Sequence, residues 1–356
     1  MSVFFGQGAM PLRRNRAVVM SELFRIITSI CIAAMPEACA GAQTYDLHLL
    51  HTTGDVGGIG RTGDVALTIV NSQDCSGSEA AVYHDREVKV LACGADAFGI
   101  NAGGDVVGTA TDGGKLWTRS GAEVDVLAPQ PNHYTSVRAI NDGGFVVGYY
   151  SRPQRVTRCF AWTQQGGSFD LGLPNGATSC AAYAVNDRSW IAGAVYSQND
   201  HNGSGFIWKK KHFHLLPILD GMQYCEARSI NRQGEAVGDC YTYGAGIVHP
   251  VLWKEGNVID LYPRSGNVTG YAYSINDAGV IVGTLTADDW HGGQAVIYGE
   301  VGPVDLATVV RNIGDWHFAW AFGVNKAGEI AANAYSPTQG ASAVKLVPVA
   351  KGPTPR

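Results

Sequence analysis

Ile140-Asn141-Asp142-Gly143-Gly144-Phe145-Val146-Val147-Gly148 decides the fold, because the chain says it again and again. The pattern Ile/Val-Asn-x-x-Gly-x-Val/Ile-Val/Ala-Gly recurs, with single departures, from Ile100-Asn101, Val185-Asn186, Ile230-Asn231, Ile275-Asn276 and Val324-Asn325. Successive asparagines stand 40, 45, 45, 45 and 49 residues apart. A near-constant period of this size marks a repeat architecture in which each repeat is one supersecondary unit.

A degenerate copy lies upstream at Ile59–Leu67, with Gly60 where the others have Asn, 41 residues before Asn101. After each copy comes an apolar run ending in a large residue, as in Leu116-Trp117, Phe160–Trp162, Phe206–Trp208 and Val251–Trp253. A third apolar signal follows in every unit but the last, for example Val124–Leu127 and Val258–Leu261. A spare strand of the same kind, Tyr45-Asp46-Leu47, precedes the first unit. Seven units of four strands therefore end one strand short and begin with one too many. A ring resolves both, whereas a linear solenoid needs polar caps that the sequence lacks. The expected fold is an all-β, seven-bladed β-propeller with four-stranded blades, closed by pairing Tyr45–Leu50 with Ala343–Val347.

Within a blade, Asn-x-x-Gly is a tight turn, because the Asn side chain folds onto the following backbone and Gly accepts positive φ. Before each turn small residues recur at every second place, as in Ala97/Gly99, Val137/Ala139, Ala182/Ala184 and Ala272/Ser274. Such residues suit a crowded innermost strand. Trp117, Trp162, Trp208 and Trp253 share one repeat position and read as packing between blades rather than ligand contacts.

With 46 glycines and few charges, the composition suits an all-β domain rich in turns. The formal charge is −5 and the repeats carry no basic face beyond the short Lys209–Lys211 run, so a nucleic-acid partner is not expected. Residues 1–40 fall outside the repeats. They carry Arg13, Arg14 and Arg16, an apolar stretch over 23–35 and Ala38-Cys39-Ala40, which together read as a secretory signal peptide too short to span a membrane. The propeller is expected over 41–349 and a short tail over 350–356. Six cysteines follow the leader, an even number that suggests disulfides in a secreted or periplasmic chain. If Asn231 and Gly234 face each other across their turn, Cys225 and Cys240 face each other too, and they are the pair argued from register. Cys75–Cys93 and Cys159–Cys180 follow only from proximity and repeat position.

The repeat phrase, followed by Cys159-Phe160-Ala161-Trp162 or His249-Pro250-Val251-Leu252-Trp253 and then an Asp-Leu-like strand, resembles the extracellular HAF-repeat family. The resemblance covers about residues 45–347. It implies secretion and a propeller-like fold, and it brings no catalytic residues.

No established catalytic motif is present, and neither a cofactor nor a metal site is expected. His212-Phe213-His214 beside Lys209–Lys211 reads as a solvated edge, and Asp288-Asp289 lacks calcium-loop spacing. The loops entering the inner strands, and those joining the second and third strands, are long and rich in aromatics with polar tips. These include Tyr149-Tyr150-Ser151-Arg152, Tyr196, His201, Tyr241, Tyr243, Trp290 and His291. Function concentrates on variable loops of a rigid scaffold. The expected ligand-binding residues are His133, Tyr134, Tyr224, Glu226, Tyr271, His317 and Trp320, at the starts of inner strands. The expected ligand is a glycan or another extracellular polar molecule, bound by a monomer without stable membrane insertion. A polysaccharide lyase or glycoside hydrolase on the same face is the alternative, with Tyr134, His133, His317, Arg152, Arg155, Glu226 and Asp96 as available groups. A structural or adhesive repeat protein is the third reading. A Tyr or His converging with an Arg would favour the lyase.

Overall fold

The computed structural model describes residues 43–350, apart from 71–74, 76, 132, 152–155, 198–201, 243, 245, 264–268 and 287–292. The expected leader, nearly all of the tail, and Arg152, Arg155, His201, Tyr243, Asp288, Asp289, Trp290 and His291 lie outside the described residues. The architecture is all-β. Gly54–Ile59, Val65–Ile69, Glu79–His84 and Glu87–Cys93 form one antiparallel sheet in chain order, the meander expected of a propeller blade. The same order recurs in Ala95–Val126, Thr135–Asp170 and Thr269–Asp305. Two further meanders, Ala177–Leu215 and Tyr224–Asp260, join into one sheet through a single parallel bridge between Gly203 and Tyr224.

The remaining sheet joins the two ends of the described chain. Tyr45–Thr52 pairs antiparallel with Gly340–Pro348, in a register that sets Asp46 opposite Val347 and Leu47 opposite Leu346. Ile330–Ser336 and His317–Val324 complete this sheet, and Val310–Arg311 adds a short parallel edge. The pairing expected of Tyr45–Leu50 is therefore present.

The repeat phrase is a structural device. Gly144 N–H bonds to Asn141 O at 3.0 Å, closing the turn. Asn141 Oδ1 accepts from the N–H of Gly143 (3.0 Å) and of Phe145 (2.9 Å). Gly144 sits at φ +74°, and Ser189, which replaces Gly in the Val185-Asn186 copy, adopts the same left-handed region at +55°. The other end of the amide reaches another repeat in five of the copies, whereas Asn101 Nδ2 donates to Asp105 Oδ2 (3.1 Å) within its own turn. Asn141 Nδ2 donates to Asn186 O (3.0 Å), Asn186 to Asn231 O (2.8 Å), Asn231 to Asn276 O (3.4 Å), and Asn276 to Asn325 O (2.9 Å). Asn325 donates to Gly60 O at 3.1 Å. These asparagines are buried, so both ends of the amide must be satisfied. Aspartate could fold the turn but has no N–H to give. Five of the six copies use that N–H to join a second repeat, which Asp could not do.

The glycine that ends the phrase permits a close approach. A Cβ on Gly148 would lie 2.1 Å from Ser136 O, and one on Gly238 1.8 Å from Glu226 O. The first and second strands of a repeat are thus drawn together at one level. The repeat tryptophans are buried, between 3% and 8% exposed, as blade packing requires. His212 and His214 are exposed on the outer strand.

Cys75–Cys93, Cys159–Cys180 and Cys225–Cys240 stand at disulfide distance, with Cα separations of 5.7, 5.5 and 4.1 Å. Cys225 faces Cys240 in the ladder, as expected, but by a different route. Asn231 N–H bonds to Glu235 O rather than facing Gly234. The register at the turn is one residue off the expected one. A bulge at Arg228 shifts it back before Cys225 is reached.

Candidate functional site

Every first strand carries the same irregularity. Register shifts between Val56 and Gly58, Ala97 and Gly99, Val137 and Ala139, Ala182 and Ala184, Ala227 and Ser229, Ala272 and Ser274, and Ala321 and Gly323 leave one residue bulged out of each ladder. A bulge re-aims a side chain. Here the bulged residues Gly57, Phe98, Arg138, Tyr183, Arg228, Tyr273 and Phe322 all line one central cavity of about 390 Å³, to which every repeat contributes. That volume lies within the range of about 300–1,000 Å³ usual for small-molecule sites. The cavity wall is thus an alternation of aromatic rings and two guanidinium groups.

Arg138 is held by aromatic neighbours. Its guanidinium carbon lies 4.5 Å from the centroid of the Phe98 ring and 5.3 Å from that of Tyr149. It donates to Tyr149 Oη at 2.6 Å. Its Nε is shielded from solvent and has no hydrogen-bond partner, and among the described residues no carboxylate pairs with it. Burial alone would raise the Tyr149 phenol. Hydrogen bonds involving Ser136 and Arg138, together with the guanidinium charge, bring it below its usual value. Asp96, Thr109, Tyr134, Ser136 and Ser151 complete a side pocket around this pair.

Arg228 is the opposite case. It forms two hydrogen bonds with Asp239 and pairs with Glu226 at 3.1 Å. Asp239 is buried, 1% exposed, and stands opposite Glu226 in the ladder. Glu226 Oε1 accepts from Tyr196 Oη at 2.8 Å and from Tyr241 Oη at 3.3 Å, and Tyr196 meets Tyr183 at 3.0 Å. Burial, then the nearby negative charge and phenols, pushes Tyr183, Tyr196 and Tyr241 well above the usual phenol range. They stay protonated, Tyr196 and Tyr241 donating to the Glu226 carboxylate and Tyr183 meeting the Tyr196 hydroxyl. Burial opposes the charge on Arg228, and the two carboxylates more than offset it. In this cluster two carboxylates surround one guanidinium, whereas Arg138 has no carboxylate paired with it among the described residues, although Asp96 lines the same side pocket.

The residues expected from the sequence divide between these clusters and the surroundings. Glu226 is central to the Arg228 network. Tyr224 is buried and stacks on Tyr241, ring centroids 5.0 Å apart. Tyr271 stacks on Tyr273 at 5.7 Å, and Tyr273 lies 5.0 Å from Phe322. Tyr134 is half exposed in the Arg138 pocket, with its hydroxyl donating to Ala110 O at 3.0 Å. His133 bonds to Pro131 O at 2.9 Å and packs edge-on to Tyr150. His317 is exposed and pairs with Tyr335, and Trp320 is partly buried opposite Asn333. Among the described residues, no contact ties His133, His317 or Trp320 to either arginine. Sequence reasoning missed Arg138, Arg228 and the ring they belong to. The signal was a large residue between two small ones, at the same distance before every Asn.

The group with ligand-like spacing among the described residues is Cys75, Glu79 and Cys93, and its two sulfurs face each other at disulfide distance. No helix among the described residues is long and apolar enough to cross a membrane.

An all-β molecule with a cavity shared by successive four-stranded meanders is propeller-like, and solved structures share that fold. Virginiamycin B lyase from Staphylococcus aureus superposes with a TM-score of 0.54 at 11% identity, over 86% of this chain and 100% of that one. Puromycin hydrolase gives 0.58 at 11% identity, over 83% of this chain and 52% of that one. A prolyl endopeptidase gives 0.54 at 13% identity, over 95% and 56%. The chain thus spans about half the length of the hydrolase and the peptidase. At such identities the likeness is one of fold. No protein-family model matches the chain, and no curated protein matches its sequence.

Proposed function

We propose that this chain is a secreted, seven-bladed β-propeller, similar to the HAF-repeat proteins, that binds a carboxylate-bearing glycan in its central cavity. Seven repeats, the pairing of Tyr45–Thr52 with Gly340–Pro348, and the hydrogen bond from Asn325 to Gly60 support seven blades and a closed ring. The leader-like residues 1–40 and three cysteine pairs support secretion. The observation that carries the ligand reading is Arg138, a guanidinium on the cavity wall that no carboxylate pairs with among the described residues. A carboxylate is the complement to such a fork. The aromatic rings beside it give faces on which a sugar can stack.

Screening the secreted protein on a glycan array, followed by calorimetry on the acidic hits, tests this. Arg138→Ala should weaken binding of an acidic glycan by about 10–100-fold, the equivalent of a charged hydrogen bond worth about 1.5–3 kcal/mol. Neutral hits that bind the variant as well as the parent protein would overturn the reading.

One observation favours a second reading, a lyase. Tyr149 is a phenol made more acidic by the same arginine that would neutralise a uronate. β-Elimination needs that combination: a base for the proton α to the carboxylate and a cation on the carboxylate. Under this reading the protein turns over acidic polysaccharide to an unsaturated, ultraviolet-absorbing product. Tyr149→Phe should remove the product while leaving binding within a few-fold of the parent protein. Binding without product in the parent protein leaves the binding module standing and removes the lyase.

A further inference from the structure

The repeat phrase builds the far end of the cavity, and it builds a barrier. Two residues beyond each bulge stands the Ile or Val that precedes the Asn. Ile100, Ile140, Ile230, Ile275 and Val324 are 8%, 7%, 7%, 6% and 6% exposed, and Ile59 and Val185 are partly buried, so the seven aliphatic side chains narrow the passage. A second, smaller cavity of about 200 Å³ lies on the Asn-turn side, and the two cavities meet at Ile59, Ile100, Ile140 and Val324. An aliphatic ring at a constriction turns away hydrated groups, because hydroxyls and carboxylates would pass it without hydrogen-bond partners.

Beyond that ring a charged tie spans the Asn-turn mouth. Arg61 belongs to the degenerate first copy, next to Gly60. Its guanidinium pairs with Asp142 of the third copy at 2.9 Å and with Asp187 of the fourth. Asp187 Oδ1 also accepts from Asp142 N–H at 3.3 Å, which fixes the two acceptors side by side. The copy that lost its Asn thus supplies an arginine that bypasses the second copy and ties itself to the third and fourth.

From this geometry we infer that the cavity is blind. On the reading that it binds an acidic glycan, ligand is admitted only from the side of the long loops. The cavity therefore seats the terminal sugar of a chain and not an interior segment. The carboxylate of that terminal sugar meets Arg138, and the aliphatic ring stops the chain from threading through.

The test uses oligogalacturonates and calorimetry on the full secreted protein. Four forms are compared: free, conjugated to a bulky carrier at the reducing end, conjugated at the non-reducing end, and conjugated at both. The expected result is that one single cap lowers affinity at least about tenfold while the other changes it little. The doubly capped chain should bind as weakly as the sensitive single cap. A doubly capped chain that binds like the free one overturns the inference while sustaining the glycan reading, since an interior segment is then recognised. No binding of any free chain removes the glycan reading and this inference with it.

Discussion

Deleting residues 41–50 is expected to abolish the cooperative unfolding transition of the protein. Tyr45 is 3% exposed and Leu50 is 8% exposed, and Tyr45 packs in a core cluster with Leu346, Phe318 and Trp316. Burying two such side chains is worth about 1.5–3 kcal/mol each. The deletion also removes the ladder between Tyr45–Thr52 and Gly340–Pro348 and bares the backbone groups of the latter strand. Against a total stability of about 5–15 kcal/mol, a loss of this size leaves little. The Arg311–Asp46 ion pair, at 2.7 Å but exposed on both sides, adds no more than about 1 kcal/mol to the deficit. An uncovered strand edge is also a template for pairing with a second molecule. Scanning calorimetry and light scattering are the measurements, with aggregation expected below the parent protein's transition. A monomeric deletion variant with an unchanged transition would show that the first strand is an ornament, and would remove the closed ring as an account of the fold.

The fold was legible because the period was. An Asn-x-x-Gly turn recurring every 40–49 residues leaves little room for another architecture, and the surplus strand at Tyr45 pointed to its partner at Leu346. The register of Cys225 and Cys240 came out right because two departures cancelled. The turn at Asn231 is one residue longer than assumed, and the bulge at Arg228 removes one residue from the ladder. The site was less legible for that same reason. Strict alternation along a strand treats Arg138 and Tyr183 as simply the other face of an inner strand. A bulge in every first strand turns that position toward the cavity instead. Attention to long loops found Tyr134, Glu226 and Tyr271, which flank the ring, but also His133 and His317, which do not touch either arginine. What joins repeats is likewise written in the amide. Six asparagines in place of aspartates signal a donor at each turn, and for five of them the donor's partner is a carbonyl of another repeat.

Arg228→Ala is expected to destabilise the protein by about 3 kcal/mol or more at neutral pH, and by clearly less in acid. Asp239 is buried and Glu226 nearly so, and Arg228 is the cation between them. Removing one partner of a buried ion pair leaves an uncompensated charge, which typically costs about 3–5 kcal/mol. The pH dependence follows from the direction of the shift. Burial already raises the Asp239 carboxyl against the pull of Arg228, and without the guanidinium it rises further. A carboxyl that binds its proton more tightly when folded weakens the fold as pH rises above its unfolded value, about 3.9. Below that value the proton is bound in both states, and this part of the deficit vanishes. Urea unfolding of the parent protein and the variant, at neutral pH and near pH 4, should show the gap narrowing in acid. The double variant Arg228→Ala/Asp239→Asn should recover part of the loss at neutral pH, since it no longer buries a lone charge there. An equal gap at both pH values, with no recovery in the double variant, would mean that Arg228 contributes packing against Tyr183 and not charge. Arg228 would then be one more wall of the cavity, and Arg138 would share its ring with a second cation of no electrostatic consequence to the fold.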